Sequence, residues 1–164
     1  MNTLLLLDVE TGGLDPATDH LLEVGLVLWS VPHRSTIATA SWLVRAPANK
    51  AEHVNGIRPA LLAEGREREW VVGRAQAWAE HADAVAAHNA EFDRAWLPDL
   101  GKPWICTCFD VEWPGRALAG GIERERERPG QSLVALCLAH GVGVASAHRA
   151  ITDCLLIASL LEHP

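Results

Sequence analysis

The sequence is short of long apolar runs, tyrosine and cysteine. Its 164 residues include no tyrosine, two phenylalanines, one methionine and four cysteines. The longest uninterrupted apolar run, Leu133–Ala139, is far shorter than the roughly 20 residues of a membrane-spanning helix, so we expect no membrane partner. No basic segment precedes the apolar residues Leu4–Leu7. We therefore expect no signal peptide, a cytoplasmic location and reduced cysteines.

Positively charged residues are also few. The chain has 14 Lys and Arg residues against 21 Asp and Glu residues, which gives a formal net charge of −7. Tight binding to a polyanion over a broad area needs a basic surface, so this class of protein is disfavoured. One small nucleic-acid site is compatible with the charge, because metal cations can cancel nearby carboxylates locally. We expect contact with such a substrate to be weak and distributive.

The apolar pattern predicts a single α/β domain over residues 1–164. Hydrophobic residues make up 49% of the chain, which suits a compact core. Five strands are predicted, at Thr3–Asp8, Leu21–Val31, Thr36–Arg45, Ala84–Ala87 and Trp104–Thr107. Helices are predicted at Pro59–Ala63, Trp70–His81, Ala90–Leu97, Leu133–His140 and Ala150–Leu161. The order of these elements implies a mixed sheet covered by helices.

Three local details of this pattern can be checked. The last helix is expected to bury a stripe formed by Ile151, Cys154, Leu155, Ala158 and Leu161. Ser132 is expected to cap the helix before it. The polar segment Gly115–Gly130, with its alternating Glu and Arg residues, is interpreted as a solvated loop or extended arm. Its arginines are candidates for binding the backbone of a nucleic-acid substrate.

Two carboxylates stand at the end of the first predicted strand. Asp8 and Glu10 are two residues apart, and the period of a strand sends both side chains to the same face. Carboxylates this close repel each other unless a cation lies between them, and oxygen ligands suit Mg²⁺ or Mn²⁺. The pair alone is weak evidence, because acids at strand ends are usually solvated. Gly12 and Gly13 follow, where the backbone can approach a ligand closely.

Further candidates lie near two predicted helix starts. The ordinary interpretation of Asp93 is a surface acid or a partner of the next residue, Arg94. Asn89 is a candidate cap for the same helix, and Phe92 is a candidate for the core or for stacking on a nucleobase. Asp153 falls among the apolar residues of the last helix. An acid in that position is costly to bury unless it is paired or metal-bound.

Three blocks of the sequence together resemble the motifs of DnaQ-like 3′→5′ exonucleases of the DEDDh type. Asp8–Leu14 is similar to the family's D-x-E-T-x-G-L, His88–Asp93 to its H-N-A-x-F-D, and His148–Asp153 to its H-x-A-x-x-D. The match covers nearly the whole chain. It implies an RNase H-like fold, with a five-stranded sheet of three antiparallel strands and then parallel strands, flanked by helices. Gly12 departs from the commoner Thr or Ala, and Asn55 from Ser or Thr.

The resemblance also implies a role for each residue. Asp8, Glu10, Asp93 and Asp153 would hold two Mg²⁺ or Mn²⁺ ions, with Asp8 bridging them. His148 would act as the base that takes a proton from the attacking water. The 3′-terminal nucleotide would be bound by Thr11, Gly12, Gly13, Leu14, His53, His88, Asn89 and Phe92. The substrate would be a single-stranded or frayed 3′ end, and the product a nucleoside 5′-monophosphate.

Three functions agree with these motifs. The favoured one is a DNA exonuclease for proofreading or end trimming, with a DNA polymerase as a candidate partner. The second is an exoribonuclease, since Asp8–Thr11 followed by Asp19–Glu23 resembles RNase T; oligoribonuclease is disfavoured by the absence of tyrosine. The third is a non-catalytic nucleic-acid-binding subunit. The complete set of four acids and His148 argues against it, because a subunit without chemistry has no need of all five.

Overall fold

The computed structural model describes residues 1–113 and 132–162. These residues form five strands, β1 (Thr3–Thr11), β2 (Leu21–Ser30), β3 (Ser35–Leu43), β4 (Ala84–Ala87) and β5 (Trp104–Cys106). They also form six helices, α1 (Glu52–Asn55), α2 (Pro59–Leu62), α3 (Arg68–Ala79), α4 (Ala90–Trp96), α5 (Leu133–Ala139) and α6 (Ala150–Glu162). The predicted polar arm at Gly115–Gly130 and its arginines lie outside the described residues. Every helix in the described part is too short or too polar to cross a membrane.

The strands form one mixed sheet with the order β3-β2-β1-β4-β5. β2 pairs antiparallel with both β1 and β3, whereas β4 runs parallel to β1 and β5 parallel to β4. This arrangement confirms the predicted five-stranded sheet. Because β1 and β4 are parallel neighbours, their carboxyl ends lie at the same edge of the sheet. The residues that follow both strands are thereby brought close together.

Helices cover both faces of the sheet, and β1 is apolar on both faces for that reason. Leu4 and Leu6 point to one side and pack in a cluster with residues of α5 and α6. Leu5 and Leu7 point to the other side and pack with residues of α3 and α4. All four leucines are buried. The uninterrupted apolar run of this strand therefore follows from its central position between two helical layers.

A glycine lets α6 approach the sheet closely. A Cβ atom built on Gly25 of β2 would overlap the backbone carbonyl of Ala150 in the first turn of α6. The Sγ atom of Cys154, one turn further along, donates to the Gly25 carbonyl at 3.3 Å. The amino-terminal turn of α6 is thus fixed beside β2. This contact places residues 148–153 over the carboxyl end of β1.

Two local predictions were wrong, and one was confirmed. Leu155 is 41% exposed, whereas Leu156, Ile157 and Leu160 are buried, because α6 packs on β1, β2, β3 and α5 at once and buries a broader face than one stripe. Asn89 precedes α4, but its side chain makes no capping hydrogen bond, since its backbone is left-handed with φ 70°. Ser132 does cap α5 and accepts a hydrogen bond from the backbone N–H of Ala135.

The substitution Gly25→Ala is expected to lower the free energy of unfolding by about 1–3 kcal/mol, because the new methyl group would push α6 away from β2. Gly73→Ala is the matched control. Its Cβ would meet open space on the exposed side of α3, where replacing glycine in a helix is expected to stabilise by roughly 0.5–1 kcal/mol. Denaturant unfolding of both variants tests this, and equal stabilities would contradict the role of the Gly25 contact.

Candidate metal and nucleic-acid site

Three carboxylates meet at the carboxyl end of β1. One ligand oxygen each from Asp8, Glu10 and Asp153 lies within 4.8 Å of the other two. Asp8 and Glu10 lie on β1 and Asp153 lies on the first turns of α6, and all three side chains are half-buried. Oxygen ligands in this number and spacing are the kind that Mg²⁺ and Mn²⁺ prefer.

Asp93 lies beside this group, on α4. Its side chain is 2% exposed, so the interpretation as a surface acid is wrong. Its Oδ1 accepts a hydrogen bond from the backbone N–H of Val9 at 3.1 Å, between the two β1 acids. The negative charge of Asp93 is, after burial, the largest cause of the raised pKa of Asp8. Asp93, the fourth predicted acid, therefore lies next to Asp8, Glu10 and Asp153.

Without a cation, the ionised form of these carboxyl groups is disfavoured. Burial and neighbouring acids raise the pKa of Asp8 well above its usual range. Burial is also the largest cause that raises the pKa of Glu10 and the pKa of Asp93, each to about 8. Burial also raises the pKa of Asp153. Its Oδ1 is buried and has no hydrogen-bond partner among the described residues. A divalent cation would neutralise this excess of negative charge and would give the unpartnered oxygen a ligand role, so the residues fit a metal.

His148 precedes α6 on the exposed side of the cluster. Its backbone lies in the left-handed region with φ 62°, which is uncommon for a residue other than glycine. Its backbone N–H donates to Oδ2 of Asp153 at 3.3 Å. The side chain is exposed, and its charge lowers the pKa of Asp153. The loop conformation therefore keeps an imidazole next to the carboxylates and in contact with solvent.

A buried ion pair that the sequence analysis missed holds this loop. Glu23 of β2 is 1% exposed and lies opposite Glu10 in the strand register. Arg149 donates to both Glu23 oxygens, from Nε at 2.9 Å and from Nη2 at 2.8 Å. The backbone N–H of Ala150 donates to Oε2 as well, at 3.2 Å. These three hydrogen bonds use both carboxylate oxygens of Glu23 and link β2 to α6. The signal available in the sequence was a single acid within an otherwise apolar strand.

A pocket of about 590 Å³ opens beside Glu10. Its lining includes six of the eight predicted substrate residues, namely Thr11, Gly12, Gly13, Leu14, His53 and Phe92. Leu14 is 84% exposed at the rim. His88 and Asn89 are not among the lining residues. The His88 ring instead lies 3.1 Å from the hydroxyl of Thr107, so the structure does not bring these two predicted residues to the pocket.

The shape of the pocket depends on polar residues that were not predicted as part of it. Asn55 is buried, and its side chain donates to the carbonyl of Thr11 at 3.2 Å. The Thr11 hydroxyl donates to the carbonyl of Gly13 at 2.6 Å. Asp19 lies so close to Gly13 that any side chain at Gly13 would displace it. Its carboxylate binds the ammonium of Lys50 at 2.7 Å, which places one cation in the pocket wall.

Comparison with known proteins gives the same fold. No family model matches the chain. A solved structure of exonuclease X in complex with 5′ overhanging duplex DNA is 28% identical, with a TM-score of 0.70 over 97% of this chain and 89% of that chain. The chain is thus similar in sequence and fold to this exonuclease. Exonuclease I of E. coli in complex with a dA16 oligonucleotide shares the fold at 17% identity, with a TM-score of 0.74 over 99% of this chain and 40% of that one.

Two curated relatives of this chain are much longer than it is. The DNA polymerase III PolC-type proteins of Thermotoga petrophila and Thermotoga maritima are 28% and 29% identical to it over 167 residues. Each alignment covers 96% of this chain and 11% of the relative. Nearly all of this chain therefore aligns with a small part of each polymerase.

Metal binding to this carboxylate site is expected to strengthen as the pH rises from about 6 to 8. Glu10 and Asp93 each have a pKa of about 8 without metal, so a cation displaces protons from them, and affinity rises up to about tenfold per pH unit for each proton released. Calorimetric titration with Mn²⁺ in two buffers of different ionisation enthalpy measures the protons released. An affinity that does not change with pH would contradict the protonated state of these acids.

The same pKa shifts determine whether the stability of the metal-free protein rises or falls with pH. Acids whose pKa is raised on folding stabilise the fold fully below their unfolded pKa, near 4, and lose that contribution as the pH rises towards 8. The melting temperature without metal should therefore fall over this range. Mg²⁺ should restore part of the loss at pH 8 and have little effect near pH 5.

Proposed function

We propose that the protein is a metal-dependent 3′→5′ exonuclease that acts on DNA and releases nucleoside 5′-monophosphates. The observation that carries this proposal is the convergence of Asp8, Glu10 and Asp153, with Asp93 beside them, next to a pocket of about 590 Å³ that Glu10 lines. Exonuclease X and exonuclease I support DNA as the substrate, since both are found in complex with DNA.

Four carboxylates would hold the cations. Asp8, Glu10 and Asp153 offer oxygens within 4.8 Å of one another, and Asp93 is fixed next to them by the Val9 N–H. We propose two Mg²⁺ or Mn²⁺ ions in this site. Bound there, such ions supply Lewis-acid stabilisation of the charge that develops on the oxygens of the scissile phosphate.

The residues of the chain supply orientation and proton transfer. The pocket would receive the terminal nucleotide, with Leu14 at the rim against the base and the backbone of Thr11–Gly13 close to the sugar. His148, exposed beside Asp153, would take the proton from the attacking water. The Glu23–Arg149 pair would keep the His148 loop at the distance that this transfer requires.

A role next to a DNA polymerase is the biological setting we propose. The supporting observation is the alignment of nearly all of this chain with a small part of two PolC-type polymerases. A proofreading nuclease should remove a mispaired 3′ terminus faster than a paired one. A frayed end enters a single-strand pocket more readily, because no terminal base pair has to be broken. Excision rates on matched and mismatched primer ends measure this directly.

Activity is expected to require Asp8. Asp8→Asn removes one buried charge at nearly constant shape, so we expect a loss of roughly three orders of magnitude or more in the rate of nucleotide release. The metal-free variant should melt higher than the wild type at pH 8, because a neutral amide replaces a carboxylate that burial first and neighbouring acids second disfavour. The assay follows labelled single-stranded DNA and RNA with Mg²⁺ and with EDTA.

The matched control for Asp8→Asn is Glu91→Gln, which removes an exposed acid on the same helix as Asp93 and should leave the rate unchanged. Full activity of Asp8→Asn would contradict the metal assignment. Faster release from RNA than from DNA by the wild type would replace the DNA exonuclease with an exoribonuclease of the same mechanism. The absence of release from either nucleic acid would favour a binding subunit.

The substitution His148→Ala is expected to lower kcat roughly 10²- to 10⁴-fold and to leave Mn²⁺ binding intact, because His148 serves as a base and not as a ligand. His81→Ala, at an exposed position after α3, is the control. Kinetics and calorimetry on the same samples distinguish the two roles. Loss of Mn²⁺ affinity along with activity would show that His148 is a metal ligand.

A further inference from the structure

β3 is an open edge of the sheet. It pairs with β2 on one side, and within the described residues its other side is covered only at Leu43, whose carbonyl accepts from the Arg66 N–H at 2.8 Å. Charged residues and proline commonly protect an exposed edge, and Ser35–Leu43 contains neither. Ile37 is bulged out of the pairing with β2, so the regular part of the edge is residues 38–42. This part leaves main-chain donors and acceptors on its outer side.

An exposed tryptophan and two arginines lie beside this edge. Trp70 of α3 is 44% exposed, and its ring meets the ring of Trp42 of β3 edge-on, with the centroids 5.7 Å apart. The guanidinium carbons of Arg66 and Arg74 lie 5.4 Å and 6.0 Å from the centroid of the Trp70 ring. We call these four residues the β3–α3 patch. It combines an apolar ring with two cations beside an open strand.

The two cations of the patch have no acidic partner within the part of the chain that the structure describes. Both arginines are exposed, and neither forms an ion pair there. The nearby acid Glu67 is paired with Arg45, and Glu69 lines a cavity between α3 and α4. Two like charges at one ring repel each other, and an added carboxylate would relieve this repulsion. In a chain with a net charge of −7, the patch is therefore suited to a negatively charged partner.

The patch lies on the opposite face of the sheet from the carboxylates. Trp42 packs against the apolar cluster of α3 and α4, which contains Val9. Asp8 and Glu10, the neighbours of Val9 along β1, point to the other face, where Asp153 of α6 meets them. The sheet therefore separates the patch from the proposed catalytic carboxylates.

We propose that the β3–α3 patch binds an extended acidic segment of a partner protein, which adds to the sheet as a further strand beside β3. Main-chain hydrogen bonds to β3 would align the segment, and its carboxylates would pair with Arg66 and Arg74. A polypeptide matches the alternating N–H and C=O groups of an edge, whereas the phosphates of a nucleic acid are acceptors only. A second copy of this chain fits less well, because β3 has no acid for the two arginines. The proposal does not depend on the exonuclease function.

The first test selects ligands for the whole chain from a displayed library of random peptides of about 12 residues. We expect the enriched sequences to be richer in acids than the library and to contain β-branched residues. A bound peptide should slow hydrogen exchange at the amides of residues 38–42. Failure to enrich any sequence, enrichment of neutral or basic sequences, or slower exchange only outside β3 and α3 would overturn the proposal.

The second test removes the two positive charges of the patch. For an enriched acidic peptide, the double variant Arg66→Gln, Arg74→Gln should raise the Kd about tenfold, because two ion pairs are lost. The matched control is the double variant Arg58→Gln, Arg94→Gln, which removes the same charge at exposed positions before α2 and on α4. An unchanged Kd in the patch variant, or an equal rise in the control, would contradict the proposed pairing.

The third test examines strand addition itself. In an added strand, alternate residues direct their N–H groups to β3 and the intervening residues direct theirs away. N-methylation of the first set should weaken binding at least about tenfold more than N-methylation of the second set. An equal loss for the two methylated peptides would show that the segment is not bound as a strand, and the proposal would fail.

Folding, assembly and nucleotide release are measured on the same patch variant. Because both arginines are exposed, the melting temperature and the rate of release from a short single-stranded DNA should be close to those of the wild type. If the double variant melts markedly lower, the two single variants replace it, and each should show part of the rise in Kd. Slower release would show that nucleic acid occupies the patch. A wild-type dimer in light scattering that the variant abolishes would show that a second copy does, and either result would overturn the proposed occupant.

Discussion

The burial of four neighbouring carboxylates, one fully and three partly, at the carboxyl end of β1 sets the conditions for the rest of the structure. Asp8, Glu10, Asp93 and Asp153 all have a raised pKa, and burial is the largest cause for each. The elements that carry these acids are held together by contacts outside the acid cluster. Close packing of α6 on Gly25 and the Glu23–Arg149 ion pair supply that restraint. A cation in the site would turn the repulsion into shared ligation.

The sequence predicted those parts of the fold that depend on local pattern. All five strands follow from apolar runs bounded by turn residues, and the acids of β1 follow from the two-residue period of a strand. Residues whose roles depend on distant partners were missed. Glu23 is recognisable as a link only when Arg149 lies beside it, and Leu155 is exposed because α6 meets four elements at once. Asn89 suited a capping role by residue type, but its backbone adopts a left-handed conformation instead.

An acidic site can accept a polyanionic substrate when cations are held between the two. Close to the scissile bond, negative side chains collect so that cations can be held there. An overall acidic chain is therefore compatible with nucleic-acid chemistry, provided that contact is confined to one small site. Such a surface also disfavours long-lived binding to duplex DNA away from an end.

The close packing of α6 on Gly25 has a consequence for when the protein becomes competent to bind metal. β1 enters the sheet near the start of the chain, whereas α6 follows every strand and must dock on Gly25 before Asp153 can reach Asp8. Pairings between residues this far apart in sequence form late and break early on partial unfolding. An incompletely folded copy would hold only part of the ligand set. In the proposed exonuclease, hydrolytic capacity would therefore be confined to completely folded molecules.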